Sequence, residues 1–395
     1  MLKHVTLLQY LFVVLLVDMA SHAFAQSNYI LQDEQKLTNA KKQYQAGDAD
    51  AVKAVATLLT AADKALKAEP YSVTLRKTRM APSGNPHDYM SQAPYWWADP
   101  SKPDGKPYIR KDGERNPEIY QLHDDTQLND LCTDVKKLGL AYYFTGKEEY
   151  AQKANYQLKI FFIDEATRMN PNLNYAQYVP GVNDGRGTGI IESRALTNIP
   201  DAFAMMAGSK ALTDDVKAGV KTWFAEYLKW LITSKGGKDE HDAQNNHGTI
   251  YDMQVIDFAI FTGDTKFAHD MLKKQTVLRM DTQFTLEGKQ PLELARTKSW
   301  GYSCMNLDGW CKLAILGDRL GIDLWHTTTK DGRGIEKCIT YLLPYLLKQK
   351  QWEYKQIEPI GYSEMLGICT AANGKYPAID FKTAFAMYPK TQPWQ

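Results

Sequence analysis

The 395-residue chain carries 47 Lys plus Arg against 46 Asp plus Glu, so its net charge of +1 excludes the basic excess by which nucleic-acid-binding proteins hold phosphates. At 44% hydrophobic and 24% charged residues it lies far from the composition of disordered chains and can bury a large core. Aromatic residues are plentiful, with 23 Tyr, 9 Trp and 13 Phe, a surplus that suits a cleft stacking against its ligand.

At the N-terminus Lys3 and His4 precede an apolar run from Leu7 to Val17, and Ala23-Phe24-Ala25 supplies the small-x-small pattern of a cleavage site. Residues 1–25 therefore read as a signal peptide too short to span a bilayer, leaving 26–395 as one exported, periplasmic or secreted domain. No Cys lies near the cut for lipid attachment and no later stretch is apolar enough to cross a membrane, so no membrane partner is expected, and the protein is expected to be a monomer. The five cysteines, Cys132, Cys304, Cys311, Cys338 and Cys369, lack CxxC spacing and read as buried structural thiols.

Residues 30–68 read as a helical pair broken at Gly47-Asp48, with Leu37, Ala40 and Tyr44, then Val52, Val55 and Leu58, at helical spacing. Residues 70–120 are rich in Pro, Gly, Tyr and Trp and show little periodicity, and a long irregular segment of this kind inside a domain points to function. Helices then dominate. Leu128, Leu131, Val135 and Leu138 form one apolar face, Tyr150, Ala154, Leu158 and Phe161 a second, with a break at Thr145-Gly146 between them. The same pattern returns at Phe258 to Ala268 around Thr262-Gly263, and more loosely at Leu313 to Asp318. Repeated hairpins suggest either an α/α toroid or an irregular bundle. Val216, Val220, Trp223, Tyr227 and Leu231 mark a further helix, read as ending at Gly236-Gly237, and residues 336–370 read as helical.

Three polar stretches interrupt this pattern. Pro180 to Arg194 holds several glycines but neither GxGxxG after a strand nor GxxxxGK[ST], so a nucleotide loop is excluded. Either Arg186 and Arg194 serve carboxylates there, or the segment is a turn closed by an Arg194–Glu192 surface contact. Glu240 to Gly248 contains Gln244, Asn245, Asn246 and His247; one Asn can cap the next helix, which leaves a second amide beside a histidine unexplained. His241 and His247 lack the i, i+4 spacing of a zinc pair, so no metal or cofactor is implied. Glu293 to Tyr302 brings Arg296 and Tyr302 to the start of an apolar helix.

The stretch Asp88 to Glu114, containing Tyr89 and Tyr95-Trp96-Trp97, with Asn116-Pro117-Glu118 after it, resembles the N-terminal signature of the alginate lyase superfamily. Asn245-Asn246-His247-Gly248 is similar to that family's catalytic Asn-His loop, and Arg296 with Tyr302 to its Arg/Tyr element, although the pair lies six residues apart here and seven in the best-known members. The resemblance, from about residue 80 to 320, implies an all-α fold, an (α/α) toroid of about six to seven hairpins, and cleavage of an anionic uronate polysaccharide by β-elimination. It implies Asn246, His247, Arg296 and Tyr302 as catalytic residues.

That reaction removes a proton α to a carboxylate, so the carboxylate must be neutralised. Asn246 offers an amide donor and Arg296 a forked cation, with Gln244 and a protonated Glu240 as weaker candidates. Tyr302, its phenol expected to be made more acidic by a nearby Arg, and His247 are the proton handlers. In mannuronate the C5 hydrogen and C4 oxygen share a face, so Tyr302 can act as base and acid; in guluronate they oppose, which requires His247 as base. Tyr89, Tyr95, Trp96 and Trp97 are expected to wall the cleft, with one of the two adjacent Trp in the core, and Arg186, Arg194 and Asn245 to touch substrate. Two rivals remain: a glycoside hydrolase using Asp124, Asp125 or Glu240, and a uronate-binding protein without activity. Preference among mannuronate, guluronate, mixed alginate and glucuronan stays open, as does endo or exo attack.

Overall fold

The computed structural model describes residues 28–388 and 392–394, so the expected signal peptide lies outside the described residues. The α-helices of six residues or more are α1 (Glu34–Gln45), α2 (Ala49–Leu66), α3 (Asp124–Thr145), α4 (Glu148–Phe162), α5 (Asn198–Met205), α6 (Asp214–Thr233), α7 (Lys235–His241), α8 (Asn246–Thr262), α9 (Thr265–Lys274), α10 (Ser299–Leu320), α11 (Ile335–Leu346), α12 (Leu366–Ala372) and α13 (Lys382–Met387). They form the expected α/α toroid. An inner row runs from α3 and α5, through the three-ten stretch Gly187–Thr197, to α8 and α10, and α2, α4, α6 and α9 pack outside it.

The two echoing segments are the two clearest hairpins, α3–α4 and α8–α9. Each first helix ends on a left-handed glycine, Gly146 (φ 69°) and Gly263 (φ 99°), a backbone state that costs side-chain-bearing residues energy and turns the chain back. Helix α8 is buried from Gly248 to Ala259 on every side, which suits an inner helix. Most of its polar groups are matched: Asp252 pairs with Arg279 (2.7 Å), and Gln254 accepts from Ser193 (2.7 Å). All five cysteines are buried, as their sequence setting implied.

Two boundaries differ from the sequence reading. Gly236-Gly237 does not end α6. The helix stops at Thr233 because Ser234 is extended (ψ 158°) and its Oγ accepts the Gly237 N–H (3.0 Å), capping α7 with both glycines in its first turn. Nor are residues 336–370 continuously helical: α11 stops just after Pro344, Lys348 adopts φ 56°, and an irregular stretch precedes the three-ten turn Tyr362–Met365.

The aromatic segment of 70–120 builds small sheets. Strand β1 (Met90–Gln92) pairs in parallel with β4 (Tyr175–Tyr178), and β2 (Trp96–Trp97) pairs antiparallel with β3 (Ile109–Arg110), placing Trp96 opposite Arg110. These short ladders hold the segment across one end of the toroid.

Candidate active site

At that end the first turns of α3, α8, α10 and the three-ten stretch converge around a cavity of about 730 Å³. Helix N-termini carry partial positive charge, which favours anions. The lining adds Arg110, Arg115, Arg186, Arg194, Arg296 and Lys298, six cations against two acids, Asp125 and Glu192. A chain of net charge +1 has thus concentrated a local excess of cations at one place.

The start of α8 assigns the two amides separate tasks. Asn245 is the cap, its Oδ1 accepting the His247 N–H (3.3 Å). Asn246 is relieved of capping and fully buried; its backbone N–H and Nδ2 donate to the two oxygens of Glu293 (2.7 Å each), while its Oδ1 has no partner among the described residues. Burial raises the Glu293 pKa against the opposing hydrogen bonds from Asn246. His247 Nδ1 lies 2.6 Å from Oε1 of buried Glu240. A carboxylate there fixes the ring and keeps the proton on Nδ1, leaving Nε2 as the basic nitrogen. Gly248 completes the motif by a close approach: a Cβ would lie 2.1 Å from the Ala243 oxygen and 2.4 Å from Arg279 Nη1. Arg279 itself nails down the preceding loop, donating to the carbonyls of Ala243 (2.9 Å) and His241 (2.5 Å). His241 is directed to this group and to Asp252 (3.4 Å).

Arg296 and Tyr302 form one stack, with the guanidinium carbon 3.7 Å from the phenol ring centroid. Arg296 is already paired: its Nε contacts both oxygens of Asp112 (3.1 Å each) and its Nη2 one of them (2.8 Å). Asp112 also accepts from Thr297 N (3.2 Å), Thr297 Oγ1 (3.0 Å) and Arg110 (2.7 Å). Tyr302 donates to Tyr95 Oη (2.8 Å). Its pKa lies above the ordinary phenol value, contrary to the sequence expectation: burial and the Tyr95 hydrogen bond outweigh the lowering by Arg296, which Asp112 further opposes.

Of the remaining expected residues, Tyr95, Trp96, Arg186, Arg194, Asn245, Asn246 and His247 all reach the cavity. Four do not line it. Tyr89, just before β1, is fully buried and donates to Glu192 (2.7 Å). Trp97, adjacent to Trp96 on a strand, faces the other way, and it neither lines the cleft nor enters the core: its indole N–H donates to the Glu114 carbonyl (3.0 Å) and Lys111 lies over its ring. Glu240 stands behind His247, and Gln244 is exposed with its amide turned to the Asp242 carbonyl (2.8 Å). Neither is placed to meet a substrate carboxylate. Asp124 and Asp125 also diverge, since Asp124 is buried against Lys77 (2.6 Å) and only Asp125 faces the cavity. The Arg194–Glu192 contact does not form; Arg194 donates to the Ile191 carbonyl (2.9 Å).

Glu192 was not among the expected site residues. It accepts from Tyr89 and Ser91 (2.7 and 2.6 Å), and burial, with a smaller push from Asp125, raises its carboxyl to about 7 against those hydrogen bonds. Its protonated form is thus favoured in the folded protein, so stability falls as pH rises from about 4.5 to 7. We expect Glu192→Gln to be stabilised relative to the parent by about 1–3 kcal/mol above pH 7 and little below pH 4.5. Thermal unfolding at several pH values checks this; a pH-independent difference would contradict it. Asp112, Glu293, Arg279 and Gln177 were likewise missed. Asp112 sits within the aromatic signature, but nothing local connects it to Arg296, 184 residues away.

A family model described as alginate lyase matches residues 72–352. Among solved structures, the chain is similar to an alginate lyase from Bacteroides ovatus, with 41% identity, coverage of 93% of this chain and 97% of that one, and a TM-score of 0.88. It is also similar to alginate lyase A1-III from Sphingomonas species A1, at 16% identity over 90% of this chain and 93% of that one with a TM-score of 0.53, a likeness of fold alone. No curated protein matches the chain.

Proposed function

The chain belongs to the alginate lyase family and is a polysaccharide lyase, and from that premise we propose that it cleaves alginate by β-elimination in the cavity at the helix N-termini. The observation that carries the reading is the meeting, in one cation-lined cavity, of a histidine oriented by a buried carboxylate and a tyrosine stacked under an arginine.

The elimination removes the C5 proton, forms the C4=C5 double bond from the released electron pair, and breaks the C4–O bond as the leaving oxygen takes a proton. Tyr302 supplies that proton. On guluronate His247, with Glu240 holding Nδ1, takes the C5 proton through Nε2; on mannuronate Tyr302 does both, with Arg296 stabilising the phenolate that takes the C5 proton and is regenerated when the leaving oxygen is protonated. Asn246, held by Glu293, stabilises the developing negative charge on the carboxylate through its remaining amide hydrogen. Tyr95 and Trp96 offer stacking surface, and Arg194 and Asn245 polar contacts, to the sugar chain. The substrate is an anionic polymer, and no described helix is long and apolar enough to cross a membrane. Export after removal of residues 1–25, one domain over the rest of the chain and a monomeric state complete the proposal.

The test is direct. Purified protein incubated with polymannuronate and polyguluronate is expected to release fragments with the ultraviolet absorbance of a conjugated 4,5-unsaturated uronate. Fragments without that absorbance would mark hydrolysis, and binding without fragments a non-catalytic protein.

A further inference from the structure

Neutralising the uronate carboxylate requires a cation with N–H groups to spare, and Arg296 has little to give. Its Nε and Nη2 are engaged by Asp112, which is itself held by Thr297 and Arg110. Swinging Arg296 to a substrate would strand Asp112 and remove the cation from the Tyr302 ring. Arg186 is in the opposite condition. It lines the same cavity as Asn246, His247 and Tyr302, and no carboxylate lies within ion-pair distance of it among the described residues. Among the described residues its side chain makes one hydrogen bond, from Nη2 to Gln177 Oε1 (2.7 Å), and its enclosed Nε has no partner. Burial and the neighbouring Arg110 lower its pKa against the weaker pull of Glu192 and Glu240, so a carboxylate placed beside it is favoured.

Gln177 reinforces this. It is buried and adopts φ 50°, the left-handed region that a non-glycine residue occupies at a cost. Its backbone N–H donates to Ser91 Oγ (2.8 Å), which fixes the residue while its side-chain oxygen holds Arg186.

We infer that Arg186, positioned by Gln177, is the forked cation that binds and neutralises the carboxylate of the uronate losing its C5 proton, while Arg296 is committed to Tyr302. A guanidinium matches a carboxylate in two parallel hydrogen bonds, and the terminal nitrogens of Arg186, of which only Nη2 is engaged and by one bond to Gln177, keep N–H groups for them. The inference rests on the β-elimination reading and names the group that makes the C5 proton removable.

Binding without turnover isolates the point. In a Tyr302→Phe background, Arg186→Gln is expected to weaken binding of an acidic oligouronate at least about tenfold and to change binding of its methyl ester, which has the same shape without the charge, less than about twofold. Gln177→Glu, which gives Arg186 an internal carboxylate, is expected to show the same split and covers the case in which Arg186→Gln does not fold. In the otherwise unaltered enzyme Arg186→Gln is expected to lower kcat by about 10²–10³. Equal weakening for acid and ester, or none for either, overturns the inference. Failure of the lyase reading is seen separately, as absence of unsaturated product from the parent protein.

Discussion

Tyr302→Phe is expected to lower formation of unsaturated product by about 10⁴-fold on mannuronate and guluronate alike, since the ring, its stacking under Arg296 and the fold survive while the exchangeable proton is lost. The raised phenol pKa sharpens the expectation. A phenol that keeps its proton is ready as an acid on either substrate, but as a base on mannuronate it must first ionise. Below its pKa the phenolate fraction rises tenfold per pH unit, so kcat/KM on mannuronate, where Tyr302 is the base, should climb with pH across the accessible range. His247→Ala should accordingly damage the guluronate reaction more. Initial rates on the two block polymers across pH, for the parent and both variants, decide the matter; near-normal product from Tyr302→Phe would remove Tyr302 from the mechanism.

The second large effect is expected from Asp112→Asn. Burial pushes the Asp112 carboxyl up, but the hydrogen bonds and charge of Arg296, with those from Thr297, outweigh it and hold its pKa at about 2. The substitution leaves a half-buried guanidinium uncompensated and loosens the β2–β3 hairpin from the start of α10. With part of the pair exposed, a loss of about 1–3 kcal/mol is expected, less than for a fully buried pair. The sign follows from linkage: an acid with a depressed folded-state pKa stabilises above its unfolded value of about 4, and that contribution disappears as pH falls through 2. The parent and Asp112→Asn should thus differ in melting temperature near neutral pH and converge in strong acid. The phenol should move oppositely to the stability. Removing a charge that raises the Tyr302 pKa shifts the mannuronate pH profile to lower pH, even as kcat falls about tenfold. An unshifted profile would mean that Asp112 serves the fold alone.

Features fixed by neighbours in sequence were the ones legible beforehand. The period of Leu128, Leu131, Val135 and Leu138 and the Thr-Gly breaks defined α3–α4 and α8–α9, because the apolar stripe and left-handed glycine act over a few residues. The Asn-His loop and the Arg/Tyr element were legible as compact patterns. What escaped was pairing between distant segments. Arg296 read as a free cation because its partner lies in another hairpin, and Tyr302 read as acidified because the sequence displays the arginine but not the burial. Tyr89 and Trp97 looked like cleft residues on composition, yet Tyr89 is buried against Glu192 and strand alternation turns Trp97 away from Trp96. The end of α6 was misplaced for a local reason: a serine cap outranked two glycines.

The convergence of inner-helix N-termini bears on what happens after cleavage. Peptide dipoles do not titrate, so this part of the field is independent of pH, and added salt is what weakens it. A long polymer keeps many carboxylates within reach of that field and of the six cations beside it, whereas each shorter fragment keeps fewer. Residence time should therefore shrink with fragment length, so that the attraction recruiting a chain also sorts its products, retaining the longer ones for another cut and releasing the short.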